Sequence, residues 1–555
     1  MTTQPSAPTD LYFLPLGGAG EIGMNLNLYG YGGKWLIVDC GVTFGDDSTP
    51  GIDVIMPDPA WIVERRKDLV GIVATHAHED HIGAIPYLWT QLQCPVYATP
   101  FTAAVLRRKL QEHDLARRVE IRTIPNSGSF RIAPFDLELI HLTHSIPEPM
   151  AIALKTPAGT VLHTGDWKFD PDPAIGPIAD EAALRRLGDA GVLALVGDST
   201  NVFVPGEAGS EADVRRNLDE LIGRYPQRVV VACFASNVAR LESIARAAQA
   251  HDRQTALVGR SLWRMLESAK EAGYLRNLPP FVSEQDAGLI PRDKLVMICT
   301  GSQGEPRAAL SRIASGPHPH VVLEDGDTAI FSSRNIPGNE KSIARLHNQL
   351  SNLGVDIVTT SEEAGIHVSG HPARDELARM YQWVRPRIAV PVHGEARHLA
   401  EHARLARECQ VPDAVVMENG AMLRLTPGRP VIVDHVTSGR LALDGNKLVP
   451  LDGGAMRQRK KLMSNGIAAV TVVIDRGGRL LAEPVATHQG VIAGGGEPAV
   501  IAGAVESVVN AVEDLGKGER RDDEAVREAA RLAVRRWLTA ELGKKPQLEV
   551  HVVRI

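Results

Sequence analysis

The stretch Thr75-His76-Ala77-His78-Glu79-Asp80-His81 places four imidazole or carboxylate ligands, at positions 76, 78, 80 and 81, within six residues. It directly follows the β-branched run Gly71-Ile72-Val73-Ala74, which predicts a strand. A turn after a strand can splay such side chains around one point, and imidazole and carboxylate groups suit divalent metals such as Zn²⁺. The spacing lets His76 and His78 face one ion while Asp80 and His81 face a second. A solvated polar turn is the alternative.

A two-metal site needs further ligands, and three candidates follow predicted strands beside Gly, Ser or Thr. They are His144 in Leu142-Thr143-His144-Ser145, Asp166 in His163-Thr164-Gly165-Asp166-Trp167 and His393 in Pro391-Val392-His393-Gly394-Glu395. Taken alone, each is more often an ordinary turn residue. Together and in this order, they match a known arrangement of metal ligands.

Length and composition describe a multidomain globular protein. The chain has 555 residues, which predicts three or four domains, and its 44% apolar and 23% charged residues are typical of a soluble protein. The formal net charge of −7 argues against a protein that coats nucleic acid non-specifically, although a local basic groove would still attract phosphate.

No apolar run reaches the roughly 20 residues of a membrane helix, and Met1–Asp10 lacks a signal-peptide pattern. The five cysteines are scattered along the sequence, and we interpret them as reduced thiols. We therefore expect a cytoplasmic location without membrane contact.

The pattern of elements changes along the chain. Short strands and turns dominate the first 200 residues, and an alternation of helices with apolar strands, typical of a parallel sheet, occupies about 210–358. Short strands return from Gly365. After a basic stretch at 456–461, a strand, two helices and a final strand predict a small α/β domain.

Several motifs together carry a resemblance to a known family. Asp39, the His-x-His-x-Asp-His stretch, His144 and Asp166 resemble the metallo-β-lactamase superfamily. Five further segments resemble the β-CASP branch of that superfamily, and within it the bacterial ribonuclease J family. They are Ser199-Thr200-Asn201, Phe234-Ala235-Ser236-Asn237, Thr300-Gly301-Ser302-Gln303-Gly304-Glu305-Pro306, His367-Val368-Ser369-Gly370-His371 and the His393 segment. The resemblance covers roughly Leu11 to Ile555.

The resemblance implies an α/β fold with defined domains. Residues 1–208 and 365–450 would form the two parts of a metallo-β-lactamase αββα sandwich, and 209–364 an inserted β-CASP α/β domain. Residues 451–464 would be a linker, and 465–555 a small C-terminal α/β domain.

The resemblance also implies the metal ligands. Asp166 would bridge two ions, with His76, His78 and His144 completing one site and Asp80, His81 and His393 the other. Asp39 would hold the histidine loop by hydrogen bonds, with a plain turn aspartate as its alternative. Two Zn²⁺ per chain are expected, with Mn²⁺ as an alternative, since nitrogen and oxygen ligands accept both. Such a pair can clamp a phosphodiester and activate water.

Further residues take roles in catalysis and RNA binding by the same resemblance. His371 would protonate the leaving 3′-oxygen, oriented by Asp198; a satisfied turn histidine and an N-cap or turn aspartate are the alternatives. A 5′-phosphate pocket would comprise Ser236, Asn237, His367, Ser369 and His371. The expected activity is that of a ribonuclease in RNA maturation and decay, combining 5′-to-3′ exonuclease action on 5′-monophosphate ends with endonuclease action. The expected partners are RNA, a homodimer or homotetramer, and an RNA-degrading assembly.

Other interpretations remain open. A β-CASP nuclease acting on DNA is the main alternative, because a metal site does not sense the 2′-hydroxyl. A small-molecule hydrolase and a catalytically inactive scaffold are disfavoured by the insertion and by the complete ligand set. Gly17–Gly23 predicts a hairpin rather than a dinucleotide site, and 301–305 a structural turn rather than a phosphate nest. The basic 457–461 stretch predicts a solvated connector rather than an RNA contact.

Overall fold

A computed structural model describes residues 9–316, 318–492 and 497–555. The chain divides into two compact units, one containing Met56–Gly439 together with the chain up to Thr43, the other containing Phe44–Ile55 and Arg440–Ile555. Most of the polar N-terminal stretch considered above lies outside the described residues. Within the described ranges, no helix is both long and apolar enough to cross a bilayer.

The first 200 residues contain short strands and few helices, as their turn-rich sequence predicts. The strands are β1 Leu11–Gly17, β2 Ala19–Gly20, β3 Leu26–Tyr31, β4 Lys34–Val38, β5 Thr43–Phe44, β6 Val54–Pro57, β7 Leu69–Val73, β8 Val96–Ala98, β9 Ile121–Thr123, β10 Gly128–Ile132, β11 Phe135–His141, β12 Met150–Thr156, β13 Gly159–His163 and β14 Ala194–Asp198. The helices are α1 Ala60–Val63, α2 Glu79–Ile82, α3 Ile85–Leu92, α4 Pro100–Glu112 and α5 Glu181–Ala190.

The next segment alternates helices and strands. Its elements are α6 Glu211–Arg224, β15 Val229–Ala232, α7 Val238–Ala250, β16 Gln254–Val258, α8 Arg260–Glu271, β17 Leu295–Cys299, α9 Ala309–Ala314, β18 Thr328–Phe331, α10 Glu340–Asn352 and β19 Asp356–Val358. The chain then returns through α11 Arg374–Val384, β20 Ile388–Val392, β21 Gly394–Glu395, α12 Ala396–Glu408, β22 Asp413–Ala414, β23 Ala421–Thr426 and β24 Val431–His435.

Two mixed sheets face each other in the first unit. One has eight strands in the order β24-β23-β1-β3-β4-β7-β8-β9, and the other has seven in the order β10-β11-β12-β13-β14-β20-β22. A buried core between them joins Phe13, Tyr29 and Val73 of the first sheet to Ile152 and Val390 of the second. Helices α5, α11 and α12 cover the outer side of the second sheet through a separate apolar cluster, and α4 packs on β8 and β9. The expected αββα sandwich is therefore confirmed.

The sandwich places several strand ends side by side. Strands β13, β14 and β20 run parallel, with Val196 paired to His163 on one side and to Val390 on the other. In the facing sheet β4 and β7 are parallel as well. Ligands tend to bind beyond the carboxyl ends of such strands. Asp39, the 75–81 stretch, Asp166 and His393 all follow strands of these two groups.

The inserted segment forms its own parallel sheet, as its alternation of helices and strands predicts. Its order is β16-β17-β15-β18-β19, and the four pairings between these strands are parallel. A fully buried ion pair joins Arg240 of α7 to Glu211 of α6, with Arg240 Nη2 3.0 Å from Glu211 Oε1. Arg240 also donates to the carbonyl oxygen of Ile366, just outside the insertion. The pair thus fixes the insertion against the returning chain beside His367.

The second unit is a smaller α/β body. It contains β25 Arg440–Asp444, β26 Lys447–Pro450, α13 Gly454–Asn465, β27 Ile467–Ile474, β28 Val485–Gln489, α14 Glu497–Glu513, α15 Asp523–Leu542 and β29 Gln547–Arg554. Its sheets have the orders β28-β27-β29 and β26-β25-β6-β5. Alternate residues of β27 pack against α14 and α15 through Val508, Val526 and Val534. Short 3₁₀ turns complete the described secondary structure at Arg66–Asp68, Ala287–Leu289, Arg292–Lys294 and Glu519–Arg521.

Most of the segment expected as a linker, 451–464, lies in the helix α13. Met456 is buried there, and Arg459 donates to both carboxylate oxygens of Asp444 at 2.7 Å. Arg457, Gln458, Lys460 and Lys461 are exposed, so the basic stretch is largely solvated along an anchored helix. Its apolar content is too low for helical periodicity to reveal it from sequence.

Candidate metal centre

The structure brings the seven predicted metal ligands together with two further residues. Three overlapping groups form, and within each group the ligand atoms lie within 4.8 Å of one another. Asp166 belongs to all three. The groups are His76, His78, His144 and Asp166; Asp80, His81, Asp166 and His393; and Asp166, Asp198, His371 and His393.

The first group directs three ring nitrogens at one point. His78 Nδ1 lies 3.0 Å from His76 Nε2 and 3.1 Å from His144 Nε2. Asp166 Oδ2 lies 3.9 Å from the same nitrogens of His76 and His144. Two ligands of one tetrahedral ion, each bonded at about 2 Å, are roughly 3.3 Å apart. The spacing of these rings is therefore close to that of ligands sharing one cation.

Hydrogen bonds on the far sides of two rings fix their orientation. His144 Nδ1 donates to the carbonyl oxygen of Gly370, so a neutral His144 keeps its Nε2 lone pair toward the group. Thr75 Oγ1 lies 3.0 Å from His76 Nδ1. A Cβ at position 370 would lie 2.6 Å from His144 Nδ1, so only glycine allows this approach.

The second group mixes carboxylates and imidazoles. His81 Nε2 lies 3.2 Å from Asp166 Oδ2 and 3.4 Å from Asp80 Oδ2. His393 Nε2 lies 3.0 Å from Asp80 Oδ2. Strands that are far apart in sequence supply these side chains: α2 follows β7, Asp166 follows β13 and His393 follows β20.

Asp39 supports the second group from behind. Its Oδ2 lies 2.7 Å from His81 Nδ1, and its Oδ1 accepts from the backbone N–H of Thr75 at 2.8 Å. The Thr75 hydroxyl lies 2.9 Å from Oδ2. Asp39 is fully buried and has a φ of +65°, a left-handed conformation that directs its side chain at the histidine loop. A carboxylate on Nδ1–H leaves the other nitrogen of His81 free to bind a metal.

The third group pairs His371 with Asp198. His371 Nδ1 lies 2.8 Å from Asp198 Oδ2, while the other oxygen of Asp198 accepts from the Thr200 hydroxyl at 2.7 Å. The Thr200 hydroxyl also lies 2.9 Å from His393 Nδ1. Asp198 is buried and is the last residue of β14, so the His371 ring is held in place by a rigid element.

The charges of the cluster divide its histidines into two classes. Burial lowers the pKa of His76 and His144 well below the usual value and that of His78 to about 4, so these rings are neutral at pH 7. For His81 and His393, burial again disfavours the charged form, but nearby carboxylates led by Asp166 outweigh it and raise the pKa. The three histidines of the first group are therefore already neutral, the form that binds a metal.

The carboxylates show the opposite balance. Burial disfavours ionisation of Asp80, Asp166 and Asp198, yet adjacent histidines outweigh it and lower the pKa of all three. Their strongest attractive neighbours are His81, His393 and His371, respectively. Two buried carboxylates and the half-buried Asp80 in one cluster require compensating positive charge.

The residues fit a divalent metal centre. Asp166 Oδ1 is buried and has no hydrogen-bond partner among the described residues, which is costly for a carboxylate oxygen unless a cation binds there. Imidazole nitrogens and carboxylate oxygens, with no thiolate, form a donor set that suits Zn²⁺ or Mn²⁺. Replacing protons on His81 and His393 by a cation would keep the carboxylates balanced.

The predicted phosphate-binding residues lie in different positions relative to the cluster. Ser236 Oγ lies 3.1 Å from His78 Nε2. Ser369 Oγ accepts from Asn201 Nδ2 at 2.7 Å and from the backbone N–H of His371 at 3.2 Å, which leaves its own O–H free to donate. His367 is largely buried, and its Nδ1 has no hydrogen-bond partner within the described residues. Asn237 instead caps α7, where its Oδ1 accepts from Arg240 N at 2.9 Å.

Four residues beside the cluster have no assigned role in the sequence analysis. Thr75 and Thr200 contact ligand histidines, Asn201 holds Ser369, and Arg334 Nη1 donates to Asn201 Oδ1 at 2.6 Å. Thr75 and Thr200 are neighbours of predicted ligands, and such adjacency is the one signal that points to them. Arg334 lies in the loop after β18 and carries no such signal.

The two glycine-rich motifs adopt the structures predicted for them. Strands β1 and β3 are antiparallel neighbours around 17–23, which confirms a hairpin and excludes a βαβ dinucleotide unit at this place. In the other motif Gly304 N donates to Gly301 O at 3.1 Å, and the Gln303 side chain accepts from Ile336 N at 2.9 Å. The 301–305 segment is therefore a structural turn between β17 and α9.

Family models match successive parts of the chain. Residues 24–221 match the metallo-beta-lactamase superfamily and 226–350 match a model described as "Ribonuclease J, beta-CASP domain". Residues 363–412 match a "Zn-dependent metallo-hydrolase RNA specificity domain", and 454–555 match a "Ribonuclease J C-terminal domain". These matches indicate a metal cofactor.

Whole-length relatives agree with the family models. A protein named ribonuclease J from Sinorhizobium meliloti is 44% identical over 551 residues, covering 98% of each chain. A ribonuclease J from Mycolicibacterium smegmatis is 39% identical over 562 residues, 99% of this chain and 98% of its own. A crystal structure of a protein of unknown function from Enterococcus faecalis V583 aligns with a TM-score of 0.52 at 16% identity, over 75% of this chain and all of the other. That last likeness concerns the fold alone.

We predict that Asp39→Asn weakens metal binding. The asparagine amide would donate to His81 Nδ1 and so move the ring proton to Nε2, the nitrogen that faces Asp166. Competition with a chromogenic chelator should show an affinity for Zn²⁺ lower by about 10- to 100-fold. Asp58→Asn is the matched control, because Asp58 caps an exposed turn by accepting from Ala60 N. Equal affinities of Asp39→Asn and wild type would contradict the role of Asp39.

Proposed function

The chain belongs to the ribonuclease J family, and we propose that this metal-dependent ribonuclease cleaves RNA phosphodiester bonds with two divalent ions, as a 5′-to-3′ exonuclease and an endonuclease. The proposed roles in the cell are RNA maturation and decay in the cytoplasm. One observation carries the two-metal part: Asp166 belongs to all three groups, and the first and second groups share no other residue.

The chain's own residues divide into two ligand sets in this proposal. His76, His78 and His144 would hold one ion, and Asp80, His81 and His393 the other, with Asp166 common to both. We favour Zn²⁺, with Mn²⁺ as the alternative, because the donor atoms are nitrogen and oxygen. A pair of such ions supplies Lewis-acid polarisation of phosphoryl oxygens and activation of water.

His371 is the residue that we place at the leaving group. Burial disfavours its protonated form, but the adjacent carboxylates of Asp198 and Asp166 outweigh burial and raise its pKa. With Nδ1 held 2.8 Å from Asp198 Oδ2, the ring keeps Nε2 as the available proton donor. A proton at this atom would neutralise the departing 3′-oxygen.

The neighbouring hydroxyl groups support recognition of a 5′-phosphate. Ser236 lies just before α7, whose N-terminus favours negative charge, and its hydroxyl contacts His78. The Ser369 O–H is free to donate, as described above. Burial, followed by the charges of Arg240, Lys168 and Arg334, lowers the pKa of His367 to about 3, so a neutral ring with an unpaired nitrogen borders the same region. We place Asn237 in this pocket as the cap that holds α7 rather than as a direct contact.

Assembly and partners belong to the same proposal. The C-terminal unit carries exposed apolar side chains at Met463, Val485, Val553 and Ile555. Exposed apolar side chains on a family-matched domain support a homodimer or homotetramer. Association with an RNA-degrading assembly is a further expectation, with RNA as the substrate common to both.

Incubation of the Zn²⁺-loaded chain with 5′-labelled, 5′-monophosphorylated RNA tests the substrate and the polarity together. We expect labelled mononucleotide from RNA and none from DNA of the same sequence. A circularised RNA of that sequence should be cleaved more slowly, because it offers internal bonds but no 5′ end. Efficient release from DNA would favour the DNA-nuclease alternative, and labelled long fragments alone would contradict exonuclease action.

His371→Gln should lower kcat on normal RNA by about 10²- to 10⁴-fold, the usual contribution of a positioned acid. Substrate in which sulfur replaces the scissile 3′-oxygen should restore most of the rate, because a thiolate leaves without protonation. Single-turnover cleavage of both substrates by wild type and variant measures this. If the sulfur substrate is slowed as much as normal RNA, His371 has another role.

Replacement of both His367 and Ser369 by Ala should reduce the preference for 5′-monophosphate over 5′-hydroxyl RNA. The variant would lose the unpaired ring nitrogen and the free hydroxyl. The measurement is the ratio of kcat/KM for the two RNAs, with exposed Ser361→Ala as the control. An unchanged ratio in the double variant would refute the pocket assignment.

A further inference from the structure

An exposed aromatic ring lies beside the metal centre and has no role in the reaction described so far. Phe203 is 50% exposed, although it follows Thr200 and Asn201, whose side chains contact His393 and Ser369. Val202, which lies between Asn201 and Phe203, is fully buried and anchors the turn. Phe203 is therefore held at the surface by a fixed backbone.

One guanidinium group and one imidazole ring lie against this ring. The Arg397 guanidinium carbon lies 5.2 Å from the Phe203 ring centroid, and the Arg397 side chain is 72% exposed. The edge of His398 packs against Phe203 with ring centroids 5.3 Å apart. Arg397 and His398 begin α12, directly after His393 and Gly394.

Arg334 connects this region to the phosphate pocket. It donates to Asn201 Oδ1, and because arginine has no acceptor, the Asn201 amide must face Ser369 with its NH₂ group. Burial, then Arg397 and to a smaller extent Arg334, lower the pKa of His398; Arg334 also contributes to the lowered pKa of His367. Arg334 is thus linked through Asn201 to the turn that carries Phe203.

We propose that Phe203, Arg397 and Arg334 form a nucleotide subsite in which one base of a single-stranded RNA stacks on the Phe203 ring. The two arginines supply positive charge for the adjoining phosphates. Thr200, three residues before Phe203, contacts His393, whereas Ser236 contacts His78 on the other side of the cluster. RNA would therefore be held on both sides of the scissile bond. The inference rests on the proposed function, since it takes RNA as the occupant.

Charge favours RNA over a protein partner as that occupant. Arg397 is paired only loosely, with Nε 3.6 Å from Glu395 Oε2, and both side chains are mostly exposed. An exposed aromatic ring beside an arginine is an arrangement that binds single strands without reading sequence. An aliphatic protein contact would need apolar area rather than a planar face.

The test compares Phe203→Ala, Phe203→Leu and Phe203→Tyr with wild type on 5′-monophosphorylated RNA. We expect KM to rise by about 5- to 150-fold in the Ala and Leu variants, the range for loss of one base–aromatic stack, and to stay near wild type in Phe203→Tyr. Ile178→Ala, another exposed apolar residue of the first unit, is the control.

A set of RNAs with one abasic ribose moved along the strand locates the base. Wild type should show a raised KM at one abasic position, and Phe203→Ala should be insensitive to that same position. Wild-type KM in Phe203→Ala or in Phe203→Leu overturns the subsite. A changed sedimentation coefficient with unchanged KM overturns it in favour of a protein contact. If wild type itself fails to cleave RNA, the proposed function fails and this inference fails with it.

Discussion

The buried carboxylate of Asp166 is the constraint on which the active region depends. It lies among histidines from four separate parts of the chain, and one of its oxygens has no hydrogen-bond partner within the described residues. A low-dielectric interior does not tolerate an uncompensated charge, so the surrounding groups must supply protons or cations. The strands that end at this point provide the rigidity that keeps the ligands together.

The fold serves this convergence in two ways. In each sheet of the sandwich, parallel strands end beside one another. Because of this, Asp39, Asp166, Asp198 and His393 lie at one edge. The inserted parallel sheet then brings Ser236 against His78, and the buried Arg240–Glu211 pair ties that sheet to the chain before His367. The predicted metal ligands therefore come from the sandwich, and one wall of the proposed phosphate pocket comes from the insertion.

The residues that converge in the structure could be predicted from the sequence because their chemistry and their position after strands are both visible locally. The His76–His81 stretch is dense enough to stand out, while His144, Asp166 and His393 are single residues that only the family resemblance connects. Asn237 carries two signals in the sequence, because an Asn directly before a helical apolar pattern also predicts an N-cap. In the structure its side chain caps α7. Arg334 and Phe203 lie in loops, where no periodic pattern predicts which side chains meet. The helix at 454–465 also lacks a clear apolar stripe.

The number of divalent ions held by the cluster tests this account most directly. Native mass spectrometry of the chain, loaded with Zn²⁺ and freed of excess metal, should show the mass of two ions per chain. His393→Ala should retain one, because His76, His78 and His144 form a separate set with Asp166. A wild-type chain that holds no ion, or only one under saturating loading, would contradict the two-metal centre.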